Sequence, residues 1–347
     1  MKSFWLTAAL ILSAASMAFA QAAPRRVIID TDPGTDDAMA IILALNSPDL
    51  KVEALTVVAG NVVASQGLEN ALKIVSLAKR CDVVVAAGAE HPLNQKLITG
   101  EFWHGGNGLA NIELPSSKCK ADPRFGPDLI IELVHKYPHE ITLIPIGPLT
   151  NIALAVSKDP SIVPLVREVV VMGGSISGGN VNAAAEFNIY NDPEAASIVF
   201  NAGWSSLTMV GSDVGERTLF TREYLAELES AHGPQSNFIA AIARFWLTTV
   251  EKYGDIGFAM YDPLAVGTAI DPSVVTTKPM HVDVETRGEF TRGETVANRR
   301  DWVSKYALQG DHYRIDGLDS VQPNAKVCVT SNAEKFLNMF VSRIKGK

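Results

Sequence analysis

Four aspartates fall within eight residues, in the run Asp30-Thr31-Asp32-Pro33-Gly34-Thr35-Asp36-Asp37. Two carboxylates about 5 Å apart repel by roughly 3 kcal/mol at an effective dielectric of 20. Crowding of this kind therefore asks for a cation, or for helix N-terminal dipoles, to offset it. Hard oxygen donors suit Ca²⁺ or Mg²⁺ and not zinc. Asp30 could be a strand-end turn residue and Asp36 and Asp37 could cap a helix, but capping explains one or two aspartates and not four. A further acidic position stands far along the chain in Met260-Tyr261-Asp262-Pro263-Leu264-Ala265. By itself an Asp-Pro pair reads as a helix cap.

The elements that must carry these residues alternate. The aspartate run follows Val27-Ile28-Ile29 directly and leads into a helical pattern over 37–45. Val- and Ile-rich runs predict strands at 26–30, 52–58, 82–86, 141–146, 168–172 and 207–210, and helical patterns fall between them at 65–78, 127–135, 151–156 and 193–201. Asp192 as N-cap with Pro193 at the first helical position marks the last of these starts. Further helices are expected at 238–253, 262–269 and 333–344, with an edge strand at 277–285. Short apolar strands between helices imply an α/β fold: an open, mainly parallel sheet with helices on both faces. In such sheets ligands bind at the carboxyl ends of the strands, where the aspartate run sits. No linker, charge run or repeat divides the chain, so residues 21–347 are expected to form a single domain.

The 347 residues carry 30 Lys+Arg against 38 Asp+Glu, a net charge of -8. No basic stripe accompanies that balance, which argues against a nucleic-acid polymer as partner. Lys2, the apolar stretch 5–15 and the small-x-small site Ala18-Phe19-Ala20 have the form of a cleavable signal peptide over residues 1–20. The apolar run is shorter than the roughly 20 residues of a membrane span. A secreted or periplasmic protein without stable membrane association is therefore expected. Cys81, Cys119 and Cys328 match no metal or redox spacing; one disulfide with a free thiol, or none, is compatible, and Cys81 with Cys119 is the pair to consider.

Six blocks in order carry a resemblance: the Asp30 to Asp37 run, Thr56-Val57-Val58-Ala59-Gly60-Asn61, Pro145-Ile146-Gly147-Pro148-Leu149-Thr150-Asn151, Val171-Met172-Gly173-Gly174, Ala185-Glu186-Phe187-Asn188 and Asp192-Pro193-Glu194-Ala195. Over about residues 25–345 the chain resembles the calcium-dependent nucleoside hydrolases, including the inosine-uridine-preferring type, whose DxDPGxDD signature the first block matches. The resemblance implies a Rossmann-like nucleoside hydrolase fold, hydrolysis of the N-glycosidic bond of ribonucleosides and a homo-oligomer, dimeric or tetrameric. It also implies a Ca²⁺ held by Asp32, Asp37, Asp262 and the Ile146 carbonyl, with Asp32 as general base on the attacking water. Asp36 would then hold the ribose 2'-hydroxyl, Asn188 and Asp262 the neighbouring diol, and Asn180 with Glu186 the 5'-hydroxyl. Asn61 would orient the sugar and Met172 lie against its ring.

One departure bears on the base. The inosine-uridine type has a His immediately before the distal metal Asp, and this chain has Tyr261. Purine-specific members stack aromatic residues on the base, and Tyr261 with Trp103 could do so, which slightly favours purine nucleosides. Tyr261 and His104 are the candidate proton donors; Trp246 and Tyr253 fall on a helix that reads as pocket wall or core, and His135, His139, His232, His281 and His312 belong to no constellation. Two other readings compete. A haloacid-dehalogenase-like phosphatase also opens on a strand and DxD, though not followed by Pro-Gly-x-Asp-Asp, and an exported nucleoside- or sugar-binding protein would not need to hold water against four carboxylates.

Overall fold

The structure is a computed structural model and describes residues 23–297 and 322–346. The expected signal segment 1–20 and His312 lie outside the described residues. From the N-terminus run β1 (Arg25–Thr31), α1 (Thr35–Asn46), β2 (Leu50–Val57), α2 (Ala64–Leu77), β3 (Val84–Ala87), α3 (Glu101–His104) and α4 (Gly126–Lys136). There follow β4 (Thr142–Pro145), α5 (Thr150–Lys158), β5 (Glu168–Met172), α6 (Phe187–Asn191), α7 (Pro193–Phe200), β6 (Leu207–Val210) and α8 (Ser212–Gly215). The remainder comprises β7 (Leu219–Thr221), α9 (Arg222–Glu229), α10 (Pro234–Val250), β8 (Gly257–Ala259), α11 (Tyr261–Ile270), β9 (Val275–Met280), β10 (Val282–Val284), β11 (Thr295–Ala297), β12 (Ala325–Ser331) and α12 (Ala333–Ile344).

Eight strands form one sheet in the order β3-β2-β1-β4-β5-β6-β12-β9. All neighbours pair in parallel except β9, which lies antiparallel to β12. The α/β class with a mainly parallel, mixed sheet is thus the fold observed. Side chains of β1 alternate between two cores: Val27 and Ile29 join the layer containing α1, α2, α10, α11 and α12, and Ile28 joins the layer containing α4, α5 and α7. α1 is apolar on nearly every side, and it is buried accordingly, packed against α11.

The order of the strands decides where chemistry can occur. The chain leaves β1 toward β2 and β3, then crosses back to β4 on the other side. The crevice between the carboxyl ends of β1 and β4 is therefore a topological switch point. The aspartate run leaves β1 at this crevice and Ile146 leaves β4 there.

The expected edge strand at 277–285 resolves into two strands: β9 pairs with β12, and β10 pairs with β11. β12 lies between β6 and β9; it is absent from the sequence reading because more than half of its residues are exposed or only partly buried, which weakens the apolar run. Cys81 and Cys119 are joined in a disulfide with a Cα–Cα separation of 5.1 Å and a sequence separation of 38, and Cys328 is free and buried. Closing a loop of that length contributes about 3–4 kcal/mol by the chain-entropy account. Cys81→Ser with Cys119→Ser should lower the unfolding free energy by about 2–4 kcal/mol in urea titrations, with little change in turnover.

Candidate active site

Asp32 lies buried where β1 ends, with Oδ2 accepting the backbone N–H of Asn61 at 2.6 Å. Its other oxygen, Oδ1, is buried with no hydrogen-bond partner among the described residues, as is Oδ1 of Asp36. Asp37 is more fully engaged. It accepts from the Thr31 hydroxyl, from the backbone N–H of Asp32 (3.2 Å) and Gly34 (2.9 Å), and from the Asn61 amide (3.0 Å). These bonds tie the turn to the first turn of α1. Asp30 points into the other core layer, where Thr56 and Asn151 donate to it.

Asp262, in the first turn of α11, comes to the same place from 225 positions beyond Asp37. One oxygen from each of Asp36, Asp37 and Asp262 lies within 4.8 Å of the others. Burial, with Asp37 next to it, pushes Asp32 well above the usual carboxylate range. Burial does the same to Asp262, reinforced by Asp36, Asp37, Asp32 and Glu186. Asp36 is raised to about 6, also by burial. Buried carboxylates that raise one another and leave oxygens without donors have the chemistry of a hard-cation site.

Two glycines make room for Asp32. A Cβ on Gly60 would lie 2.0 Å from its Oδ2, and one on Gly147 would lie 2.6 Å from its Oδ1. Gly60→Ala must displace that carboxylate, and misplacement of a reacting group by about 1 Å costs on the order of 100-fold. A loss of that size in kcat/KM, with an unchanged far-ultraviolet circular dichroism spectrum, is the expected result.

Above the carboxylates opens a cavity of about 450 Å³. Asp36, Asn61, Ile146, Met172, Asn180, Glu186, Asn188 and Asp262 line it together with Met39, Trp103, His104, Leu219, Trp246, Val250, Phe258 and Tyr261, and Glu216 and Asp255 also reach its wall. Asn188 donates to the Ile146 carbonyl at 2.9 Å and the Met172 carbonyl at 3.3 Å, which joins the ends of β4 and β5 to α6. Glu186 accepts three backbone N–H groups, from Gly174, Asn188 and Ile189, so it caps α6 while facing the cavity. Burial still raises it to about 7, because those bonds offset the desolvation only in part. A lining that combines amide and carboxyl groups with aromatic faces matches a sugar joined to a flat base.

Residues 27–338 match the family described as inosine-uridine preferring nucleoside hydrolase. The chain belongs to the nucleoside hydrolase family. It is 41% identical over 281 residues to the inosine-uridine preferring nucleoside hydrolase of Crithidia fasciculata, covering 80% of this chain and 89% of that protein. It is 36% identical to the pyrimidine-specific ribonucleoside hydrolase of Salmonella newport, covering 92% of this chain and 98% of that one. Among solved structures, the purine-preferring ribonucleoside hydrolase from Gardnerella vaginalis superposes with a TM-score of 0.83 at 35% identity, over 93% of this chain and 98% of that one. This nucleoside hydrolase is accordingly an N-glycosyl hydrolase acting on ribonucleosides.

The nucleoside hydrolase places the expected residues around this cavity. The three-carboxylate group contains Asp36 along with Asp37 and Asp262, and Asp32 lies beside it, close enough for Asp37 and Asp36 to raise its pKa. The ring parallel to Trp103 is Trp246, at 6.5 Å between centroids and 13° between planes, and not Tyr261. Trp246 is fixed there by its indole N–H, which donates to the Thr35 hydroxyl at 2.9 Å. Tyr261 packs against Gly215, where a Cβ would come within 2.4 Å of its ring, and its hydroxyl bonds to the Asn180 side chain. Burial pushes that phenol further above its ordinary value, with Glu216 and Asp36 adding to the effect, which opposes release of its proton. Burial likewise lowers His104 to about 4, against the pull of Asp37, so its ring is neutral at pH 7.

Tyr253 is exposed and stands outside the cavity lining, and Asn182 bonds to the backbone of Ala184 and Ala185. The sequence reading missed Thr35, Met39, Leu219 and Phe258. Leu219 and Phe258 come from the short β7-β8 ribbon, whose three-residue strands leave no periodic signal.

Proposed function

We propose that this chain is an exported, Ca²⁺-dependent ribonucleoside N-ribohydrolase that favours purine nucleosides slightly. The observation that carries the reading is the convergence of buried carboxylate oxygens without donors, at Asp32 and Asp36, with Asp37 and Asp262 at the sugar end of an aromatic-ended cavity. Ca²⁺ at this place would gather the sugar diol and lower the pKa of an attacking water. Asp32 takes the proton of that water as its oxygen bonds to the anomeric carbon. Asp36 and Asn188 hold ribose hydroxyls, Met172 lies against the ring, and the C–N bond breaks with oxocarbenium character, giving ribose and free base. No covalent intermediate is needed. Trp103, Trp246 and Phe258 supply flat apolar surface for the base, which supports the purine preference.

The disulfide supports an oxidising destination, consistent with cleavage after Ala20 and a single mature domain from residue 21. We further propose a homo-oligomer, to be checked by light scattering of the mature chain. The deciding assay incubates that chain with inosine, adenosine, guanosine, uridine and cytidine and measures reducing sugar. Ribose release that requires Ca²⁺ and is a few-fold faster with purines is expected; binding without turnover would sink the reading, as would phosphate release from nucleotides in its place.

A further inference from the structure

We infer that Thr35 and Trp246 are positioning residues that fix His104 in a single tautomer, protonated at Nε2, so that it presents a hydrogen-bond donor to the base end of the cavity. The inference rests on the ribohydrolase reading and adds to it the group that meets the leaving base.

Thr35 is the first residue of α1, and its backbone N–H is among those a helix start leaves without an intrahelical acceptor. It donates to Nδ1 of His104 at 3.2 Å. The Thr35 hydroxyl lies 2.8 Å from the same nitrogen. A nitrogen that receives a backbone N–H must present its lone pair, so Nδ1 carries no proton and Nε2 carries it. Trp246 completes the arrangement. Its indole N–H can only donate, and it donates to Thr35 Oγ1 at 2.9 Å, which anchors that hydroxyl beside the ring; with Nδ1 bare, the hydroxyl can only donate to it.

Trp246 meets the ring edge-on at 6.0 Å, and two glycines let the backbone pass close to it: a Cβ on Gly34 would lie 2.8 Å from Nδ1 and one on Gly100 3.1 Å from Cδ2. Asp36 Oδ1 stands 3.7 Å from Nδ1, beyond hydrogen-bond distance. His104 lines the cavity, and among the described residues no hydrogen bond is made by Nε2.

The role that follows is electrostatic. As the C–N bond breaks, its electron pair moves onto the base nitrogen, and a hydrogen bond from Nε2–H to an acceptor atom of the base strengthens with that charge. No proton leaves His104; the proton that neutralises the departed base comes from solvent.

Two measurements test this. In ¹⁵N NMR of histidine-labelled protein, with the His104 signals assigned by their loss in His104→Gln, the resting protein at neutral pH should show Nε2 protonated and Nδ1 bare. The opposite tautomer or an imidazolium overturns the proposal. In kinetics, Thr35→Val should lower kcat on inosine about tenfold or more with KM moving less than about threefold, and Thr35→Ser should recover most of the loss. With 4-nitrophenyl riboside, whose phenolate leaves without help, the Thr35→Val loss should be several-fold smaller. Equal losses on the two substrates, or no recovery with Ser, overturn the proposal. If the wild type releases ribose from no nucleoside, the functional reading fails by itself, and the tautomer still decides this inference.

Discussion

Asp32→Asn is expected to slow ribose release from inosine on the order of 10³–10⁴-fold while the protein stays folded. The loss follows from the role: a general base placed on the attacking water contributes on the order of 10²–10⁴-fold, and asparagine can accept a hydrogen bond but not a proton. Folding should survive because an amide oxygen can still accept the Asn61 N–H that Oδ2 now accepts at 2.6 Å. Removing one ionised group from a set that raises one another also relieves repulsion. The variant should therefore melt no lower than wild type in a chelator, where no bound cation stabilises either protein, and higher to the extent that repulsion is relieved. Steady-state turnover beside a thermal melt in EDTA makes the check. A variant retaining more than about a tenth of wild-type turnover would remove Asp32 from the chemistry, whereas a collapsed melt would show the residue to be structural.

The second large effect concerns pH and the cation together. Asp30 and Glu186 are raised to about 7 by burial, Asp36 to about 6, and Asp32 and Asp262 lie well above the carboxylate range. For a carboxylate whose folded pKa exceeds its unfolded value, the folded state binds more protons between the two, so stability falls as pH rises through that window. The window here runs from about 4 to about 7 and beyond. In EDTA the protein should be less stable at pH 8 than at pH 5 by on the order of 3 kcal/mol, since each tenfold gain in a carboxylate's proton affinity on folding is worth about 1.4 kcal/mol before the protein relaxes around the charge. Ca²⁺ opposes the trend, because its ligands must be ionised: at 100-fold excess over Kd it adds about 2.7 kcal/mol, and more of this appears at pH 8 than at pH 5, so the difference between the two pH values shrinks. Urea midpoints with and without Ca²⁺ at the two pH values give the four numbers needed. Stability in EDTA that is flat or rising from pH 5 to pH 8 contradicts the buried acidic cluster.

Much of the site was legible because it is local. Asp30 to Asp37 forms one strand end, one turn and one helix start, and the crowding of charge there announces itself without knowledge of the fold. Asp262, and the loop from Asn180 to Asn188, were different. Their own spacing reads as a cap and as ordinary loop polars, and only the ordered series of blocks connected them to the aspartates. The strands were legible where they are doubly buried, as in β1, and not where they are short or half exposed, as in β7, β8 and β12.

The amino-acid sequence by itself determined the alternation of strand and helix, the acidic centre and the family, since each rests on residues adjacent in the chain or in fixed order along it. The tertiary structure alone decided which aromatic ring faces Trp103, which residues wall the cavity, and which groups meet Nδ1 of His104. Those depend on contacts such as that of Trp246 with Thr35, across 211 positions, and on directional hydrogen bonds that no periodicity encodes. The order of strands around β1 converts the one kind of information into the other, because it brings the ends of β1 and β4 and the first turn of α11 to one crevice.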